Sequence, residues 1–270
     1  MSEIVETIPK IIHYVWLGGR PLGKNEQRCL DSWKKHCPDY TIMCWCEDNF
    51  DFNSCPWARE ALAKKKYAFA ADAIRLWAVY TYGGIYFDTD VYLKGNLDTF
   101  LTEETFFGYE SGHGLWLGTA VFGAVKQNAY IKYLYSYYNR SLSTKMAQAM
   151  PVTYLTRLYY PDFKTDGRAA EVSGEGKPNL KIYPHDIFYA KDYMTGSLKP
   201  TQNTVAVHEF VSSWWSKGQK RGAGIARLSR KILGRHIFKL FERIVKRYQM
   251  GSIKRQLKCK PLTEYEENAG

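Results

Sequence analysis

The stretch YAFAADAIRLWAVYTYGGIYFDTD, residues 67–90, decides the fold. Its first part predicts a helix over 67–82, because apolar side chains recur at helical spacing and form one stripe. That stripe consists of Phe69, Ala73, Leu76, Trp77 and Tyr80. Gly83 and Gly84 end the helix. The next residues, IYF at 85–87, predict a short buried strand that delivers Asp88 and Asp90 at its end.

Asp88 and Asp90 are the first candidates for chemistry. In a regular strand, residues two apart point to the same face, so the two carboxylates would lie side by side. Like charges at that distance raise each other's pKa unless a cation neutralises them. Carboxylate oxygens suit Mg²⁺ or Mn²⁺, and such an ion can stabilise a diphosphate leaving group. A D-x-D pattern alone is weak evidence, since it is common in surface loops.

A second charged pair lies on the preceding helix. Asp72 and Arg75 are three residues apart and share a helical face with Val79. The pair is either a structural salt bridge or a grip on sugar hydroxyls, to which both groups make charge-assisted hydrogen bonds.

The N-terminal third predicts a βαβ unit. Residues 10–17, KIIHYVWL, indicate a buried strand, residues 24–36 a helix and residues 40–46, YTIMCWC, a second strand. In such units a nucleotide binds where the strands end. His13 alternates with core residues in the first strand, so a structural role is favoured over a catalytic one.

The rest of the chain alternates in the same way. Further strands are predicted near 105–109, 116–123, 179–184 and 204–210, helices near 127–140 and 151–159, and a loop or loose hairpin over 164–178. Residues 222–258 are predicted to be mostly helical. We therefore expect an α/β domain over 1–216 and a separate extension over 217–270.

The charge distribution is uneven. The chain of 270 residues carries a formal charge of +11, but residues 217–260 hold 15 Lys or Arg against one acid, Glu242. The remainder is slightly acidic, which argues against a uniformly basic nucleic-acid-binding protein. Apolar and basic residues share the predicted helix at 222–258, a pattern typical of docking to an anionic membrane surface. The alternatives are packing on the domain or a dimer contact.

The six cysteines include five between Cys29 and Cys55 but no CxxC pair, so reduced thiols are favoured over a zinc site. The N-terminal sequence has no signal-peptide pattern, and no run of eighteen apolar residues occurs. We expect a cytoplasmic protein, peripheral at the inner face of the cell membrane where it docks.

Two of these stretches resemble glycosyltransferase family 32. They are Ile8–Gly18, which is similar to the family's opening strand, and 69–75 with 82–90, which are similar to its central sugar-binding motif. The family includes bacterial capsule and lipopolysaccharide transferases and a yeast mannosyltransferase, and it is similar to the glucosylating domains of large clostridial toxins. The resemblance is strong over 8–125 and weaker to 216.

The resemblance implies a GT-A fold, a single α/β domain with a mostly parallel sheet. It also implies a nucleotide-sugar donor, a divalent metal (Mn²⁺ or Mg²⁺) and retention of the anomeric configuration. By position, Val15 and Trp16 would hold the base and Tyr86 would lie near the ribose or base. Asp72 and Arg75 would bind the donor sugar and, with Asp90, form the catalytic set. Asp88 would contact ribose and metal, and Asp90 would ligate the metal directly.

A later segment, residues 208–214, resembles the family's His…Ser-Trp segment. The resemblance implies that His208 completes the metal shell and that Ser213 and Trp214 touch the β-phosphate. A packed imidazole and a hydrophobic anchor are the plainer interpretations. Glu110 and His113 are candidates for the acceptor side or ordinary loop residues, and Glu110 is also the candidate carboxylate for a double displacement.

Together these features predict a metal-dependent retaining glycosyltransferase. It would move a hexose from a UDP-sugar, with UDP-galactose or UDP-glucose first, to a glycan acceptor in capsule or lipopolysaccharide synthesis. GDP-mannose remains open as the donor, and so does a lipid-linked acceptor. The alternatives are a carbohydrate- or nucleotide-binding protein without turnover and a toxin-like transferase that acts on a protein.

Overall fold

The computed structural model describes residues 7–111, 116–138, 151–164, 166–193 and 196–211. The elements follow in this order: β1 Ile11–Val15, α1 Lys24–His36, β2 Thr41–Trp45, α2 Pro56–Ala63, α3 Tyr67–Tyr82, β3 Gly84–Phe87, β4 Val91–Leu93, a 3₁₀ helix Asp98–Phe100, β5 Thr105–Tyr109, β6 Leu117–Ala124, α4 Ala129–Tyr138, α5 Pro151–Tyr159, β7 Ala170–Gly174, β8 Lys177–Tyr183, α6 His185–Phe188 and β9 Ala206–His208.

Seven strands form the central sheet in the order β2-β1-β3-β6-β5-β8-β7. Strands β2, β1, β3, β5 and β8 run in one direction, and β6 and β7 run against them. The predicted α/β fold with a mostly parallel sheet is therefore confirmed, and the predicted βαβ unit is β1-α1-β2. Strands β4 and β9 leave this sheet and pair antiparallel with each other.

Both faces of the central sheet are covered, which gives three layers. Strand alternation sends Ile12 and Tyr14 of β1 into the core under α1, and Val15 into the core under α2 to α5. Helix α3 lies in the middle of the second core, and its burial extends well beyond the predicted stripe, to Ile74, Arg75 and Val79.

The local predictions differ from the structure in a few places. Residues 170–183 form a β7–β8 hairpin, so of the two structures predicted for 164–178, a loop or a loose hairpin, the hairpin is the one found. Helix α2 and strand β4 were not predicted. Within the described ranges, no helix combines the length and apolar character that a membrane crossing needs.

His13 ties three elements together beneath the site. Trp45 of β2 donates its indole N–H to His13 Nδ1 (3.1 Å), so the ring proton is on Nε2, which donates to the Gly83 carbonyl (2.7 Å). Burial lowers the pKa of His13 to about 4. The neutral imidazole thus joins β1, β2 and the end of α3, in agreement with the predicted structural role.

This buried imidazole predicts an acid-dependent loss of stability. Between pH 6.5 and 4 the unfolded chain binds a proton at this position and the folded chain does not. The contribution of the neutral His13 to the free energy of unfolding is therefore complete above pH 6.5 and is lost as the pH falls toward 4. We expect His13 to contribute about 3 kcal/mol to that loss. Urea denaturation across this range should show a shallower pH dependence for His13→Gln than for the wild type. Parallel curves would contradict the assignment.

Candidate active site

The two carboxylates lie in a turn directly after β3, in agreement with the predicted strand at 85–87 that delivers them at its end. Strand β3 ends at Phe87, and the amide of Val91 donates to the carbonyl of Asp88 (3.0 Å) to close the turn. The amide of Asp88 donates to the Ala120 carbonyl (2.9 Å), which anchors the start of the turn to β6. The chain turns here because β4 leaves the central sheet to pair with β9.

This turn brings Asp88 and Asp90 together with His208, at the end of β9. One ligand atom from each of the three side chains lies within 4.8 Å of the other two. His208 Nε2 is 3.1 Å from an Asp90 carboxylate oxygen. Asp90 and His208 are distant in sequence, so the pairing of β4 with β9 assembles the group.

The charges of Asp90 and His208 support each other. Burial by itself would raise the pKa of Asp90, but the charge and hydrogen bond of His208 outweigh it and hold that pKa below its usual value. Burial would lower the pKa of His208, but Asp90, with Asp88 and Glu110, raises it. The group therefore favours a positive charge at its centre, from a proton or from a metal ion.

The donor set fits a divalent cation. Two carboxylates supply oxygen ligands, as Mg²⁺ and Mn²⁺ require, and the imidazole adds a nitrogen ligand. His208 Nδ1 is buried and has no hydrogen-bond partner among the described residues. An unpaired buried polar atom is costly, and a rearranged ring could use either nitrogen for a metal.

The segment after β9 closes over Asp90. The Glu209 amide donates to the Asp90 carbonyl (2.9 Å), and the Val211 amide donates to the Asp90 carboxylate (2.8 Å). Between them Phe210 takes a left-handed backbone conformation (φ 52°), which is uncommon for a bulky residue. Its ring lies against the His208 imidazole, with centroids 4.0 Å apart.

Arg75 connects α3 to the turn. Its guanidinium lies 3.1 Å from Asp72 and 3.4 Å from Asp88, and it donates to the Thr119 carbonyl of β6 (2.8 Å). The residue is 6% exposed. Burial by itself would lower the pKa of Arg75, but Asp88 and Asp72 raise it, so the side chain stays charged. Asp72 and Arg75 therefore do form the salt bridge that the sequence left open, and it reaches the D-x-D turn.

Tyr86 lies beneath the carboxylates. Its side chain is 1% exposed, its hydroxyl donates to Asp88 (2.8 Å), and the Arg75 guanidinium lies 4.8 Å from its ring centre. This geometry gives Tyr86 a role in positioning Asp88 and Arg75. A direct contact of Tyr86 with ribose or base stays a prediction.

The predicted base-binding residues follow the neighbouring strand. β1 and β3 are parallel, with His13 opposite Tyr86, and continuing this register places Val15 beside Asp88. Val15 is buried, and Trp16 is partly exposed with its indole N–H donating to the Arg20 carbonyl (2.6 Å). Their position at the carboxyl end of the parallel strands is the one in which nucleotides bind in open α/β sheets.

Glu110 follows β5 and lies in the field of the same group. Burial raises its pKa to about 7, and Asp88 adds to the effect while His208 opposes it. Three predicted site residues, His113, Ser213 and Trp214, lie outside the described residues, as does the predicted helix at 222–258.

Some contributors to the site could not be found from the sequence. Thr119 supplies a carbonyl and a hydroxyl to Arg75, yet no local motif marks it. Arg28 of α1 forms an ion pair with Glu209, next to His208. Only the three-dimensional pairing of β3 with β6 and of β4 with β9 reveals these partners.

The fold and the site together define an α/β protein with a candidate cation site where its parallel strands end. Residues 23–107 match the family described as "Glycosyltransferase sugar-binding region containing DXD motif", in agreement with the resemblance found in the sequence.

Curated relatives match part of the chain. Mannosyl phosphorylinositol ceramide synthase CSH1 of Saccharomyces cerevisiae is 32% identical over 138 residues, which is 46% of this chain and 34% of that protein. Inositol phosphoceramide mannosyltransferase 3 of Schizosaccharomyces pombe is 34% identical over 101 residues, 35% of this chain and 27% of that protein. The chain thus covers about a third of the length of these relatives.

Solved structures show a more distant likeness. The "PaToxG Glycosyltransferase" is 21% identical with a TM-score of 0.49, over 58% of this chain and 71% of that one. A glycosyltransferase involved in glycosylation of the major capsid of PBCV-1 is 12% identical with a TM-score of 0.42, over 76% and 95%.

The buried position of Arg75 predicts a large cost for removing its charge. Arg75→Gln leaves two carboxylates close together without their cation, so we expect a loss of about 3 kcal/mol in the free energy of unfolding. Arg168→Gln is the matched control, since Arg168 pairs with Asp166 at the surface with its side chain 86% exposed. Its loss should stay below about 0.5 kcal/mol. Equal losses in urea denaturation would contradict a central role for Arg75.

Proposed function

We propose that this protein is a metal-dependent glycosyltransferase that moves a hexose from a nucleotide sugar to an acceptor hydroxyl. The observation that carries the proposal is the convergence of Asp88 and Asp90, in the turn after β3, with His208 at the end of β9. Arg75 connects this turn to Asp72. The DXD sugar-binding family of residues 23–107 supports it. We infer the GT-A type of fold from the same features.

In this proposal each group has a separate task. Asp88, Asp90 and His208 would hold a divalent cation, which supplies positive charge to a leaving diphosphate when bound. Asp72, with its side chain 21% exposed, would accept hydrogen bonds from donor-sugar hydroxyls. Arg75 would keep Asp72 and Asp88 in place. Trp16 would stack on the base.

Glu110 is the proposed acceptor-side group. A carboxyl whose pKa lies near neutrality can exchange a proton with a hydroxyl at that pH. Glu110 could thus accept the acceptor's proton while the sugar is transferred with retention of configuration. The family resemblance supports retention, and His113, Ser213 and Trp214 remain proposed contacts to acceptor and β-phosphate.

The donor and the acceptor are proposed as classes of molecule. A UDP-hexose remains the first choice from the sequence, and the names of the fungal relatives favour adding a mannosyl donor. A glycan or glycolipid in envelope polysaccharide synthesis, met at the cytoplasmic membrane face, is the proposed acceptor. Screening UDP-galactose, UDP-glucose and GDP-mannose for Mn²⁺-dependent hydrolysis would identify the donor.

Asp90 provides the sharpest test of this function. Asp90→Asn keeps the shape of the side chain but removes a ligand charge, so we expect a loss of at least about 100-fold in Mn²⁺-stimulated hydrolysis of the active donor. Thermal stabilisation by Mn²⁺ should disappear in parallel. Asp162→Asn, which changes an exposed carboxylate after α5, should leave both unchanged. Near-normal activity of Asp90→Asn would refute the proposed function, and donor binding without turnover in the wild type would favour a binding protein.

The basic C-terminal extension predicts membrane association. Each basic residue near the membrane surface should contribute about 1 kcal/mol to the free energy of binding to anionic lipid. In flotation with phosphatidylglycerol vesicles, the full chain should float and a chain ending at residue 216 should not. High salt should release the full chain. Equal flotation of the two proteins would refute docking through residues 217–270.

A further inference from the structure

A groove runs along the exposed side of α1, next to β4, and nothing in the proposed donor site uses it. We call it the α1 groove and define it by Lys24, Gln27, Arg28, Asp31, Lys35 and Tyr92. Its cavity volume is about 570 Å³, within the range of small-molecule sites. Lys24, Arg28, Asp31 and Lys35 follow at helical spacing on one face, over roughly 16 Å of helix.

The α1 groove adjoins the candidate active site through β4 and β9. Tyr92 follows Asp90 by two residues, and its ring lies under the Arg28 guanidinium, 4.7 Å from the ring centre. Arg28 also forms an ion pair with Glu209, whose amide donates to the Asp90 carbonyl. A molecule in the groove therefore lies against β4, which follows Asp90, and against Arg28, whose ion-pair partner Glu209 follows His208.

The charges in the groove favour an anion of low charge. Lys24 and Lys35 are exposed and form no ion pair with any carboxylate among the described residues. Glu209 offsets the charge of Arg28, so the two lysines supply the excess positive charge. A lysine ammonium group binds phosphate as a point charge. The Asp31 carboxylate between the two lysines disfavours a polyanion.

The remaining groups suit hydroxyls. The Gln27 amide donates to Asp31 (2.9 Å), which orients a carboxylate acceptor inside the groove. Amide, carboxylate and an aromatic ring together match the hydroxyls and the apolar face of a sugar or another cyclic polyol. Phosphate alone would leave these groups unused.

We infer that the α1 groove binds a phosphate-bearing sugar or polyol, the phosphorylated part of the acceptor. The identification of this ligand as the acceptor rests on the proposed function, but its binding in the groove does not. Lys35 binds the phosphate, while Asp31, Gln27 and Tyr92 bind the ring. The ligand's source is either a soluble sugar phosphate or the headgroup of a phospholipid.

Direct binding tests the inference with a matched control on the same helix. Lys34 and Lys35 are both exposed neighbours, and only Lys35 lines the groove. Calorimetric titration of the full chain with glucose 6-phosphate should show binding to the wild type. The affinity of Lys35→Ala should be about ten-fold weaker. Lys34→Ala, with the same change of net charge, should bind like the wild type. Glucose and inorganic phosphate should each bind more weakly than glucose 6-phosphate.

A second arm identifies the source of the phosphate. Flotation with phosphatidylcholine vesicles that contain phosphatidylinositol should show the same difference between the Lys35 and Lys34 variants if the headgroup is the ligand. A difference confined to glucose 6-phosphate identifies a soluble ligand. Equal affinities of the two variants in both arms, or no binding to the wild type in either, would overturn the inference.

Donor hydrolysis separates this inference from the proposed function. It needs no acceptor, so Lys35→Ala should keep the wild-type rate of Mn²⁺-stimulated hydrolysis while it loses ligand binding. Absence of hydrolysis in the wild type would count against the proposed function alone, because calorimetry reports on the groove independently.

Discussion

The buried guanidinium of Arg75 is the constraint on which the candidate site depends. A cation this far from water is stable only with carboxylates and carbonyls around it, and Asp72, Asp88 and the Thr119 carbonyl meet that need. Their positions fix α3 against the end of β3 and against β6. The same charges that satisfy Arg75 thereby determine where the D-x-D turn begins.

The second half of the site depends on the opposite problem, an excess of negative charge. Arg75 pairs with Asp72 and Asp88, but Asp90 has no such partner among the described residues, and the charges of Asp90, Asp88 and Glu110 all act on the His208 imidazole. That imidazole is what the fold supplies to offset them. The pairing of β4 with β9 brings His208 there, and Phe210 adopts a strained conformation beside it. Strain of this kind persists where the surrounding contacts over-determine it, which is common at functional sites.

Much of the fold could be predicted from the sequence because its signals are local. Helix α3 and the β1-α1-β2 unit follow from apolar periodicity and glycine stops. The order of the central sheet could not be predicted, since β6 enters between β3 and β5 and runs against both. For the site, the sequence identified Asp88, Asp90 and His208 through a family resemblance. The turn that holds the two carboxylates could not be predicted, because β4 departs from it toward a strand more than a hundred residues later.

The β4–β9 ribbon explains how the candidate cation site and the α1 groove can share so few residues. Val91 is buried opposite His208, while Tyr92, the next residue, contacts Arg28 of α1. Alternation along a strand sends neighbouring side chains to opposite faces, so one short ribbon serves the cation group on one side and the α1 groove on the other. Glu209 completes the link, since its amide bonds to Asp90 and its carboxylate pairs with Arg28. Any ligand that displaces Arg28 must therefore act on the segment that carries His208, which makes the ribbon the element through which the two surfaces would influence each other.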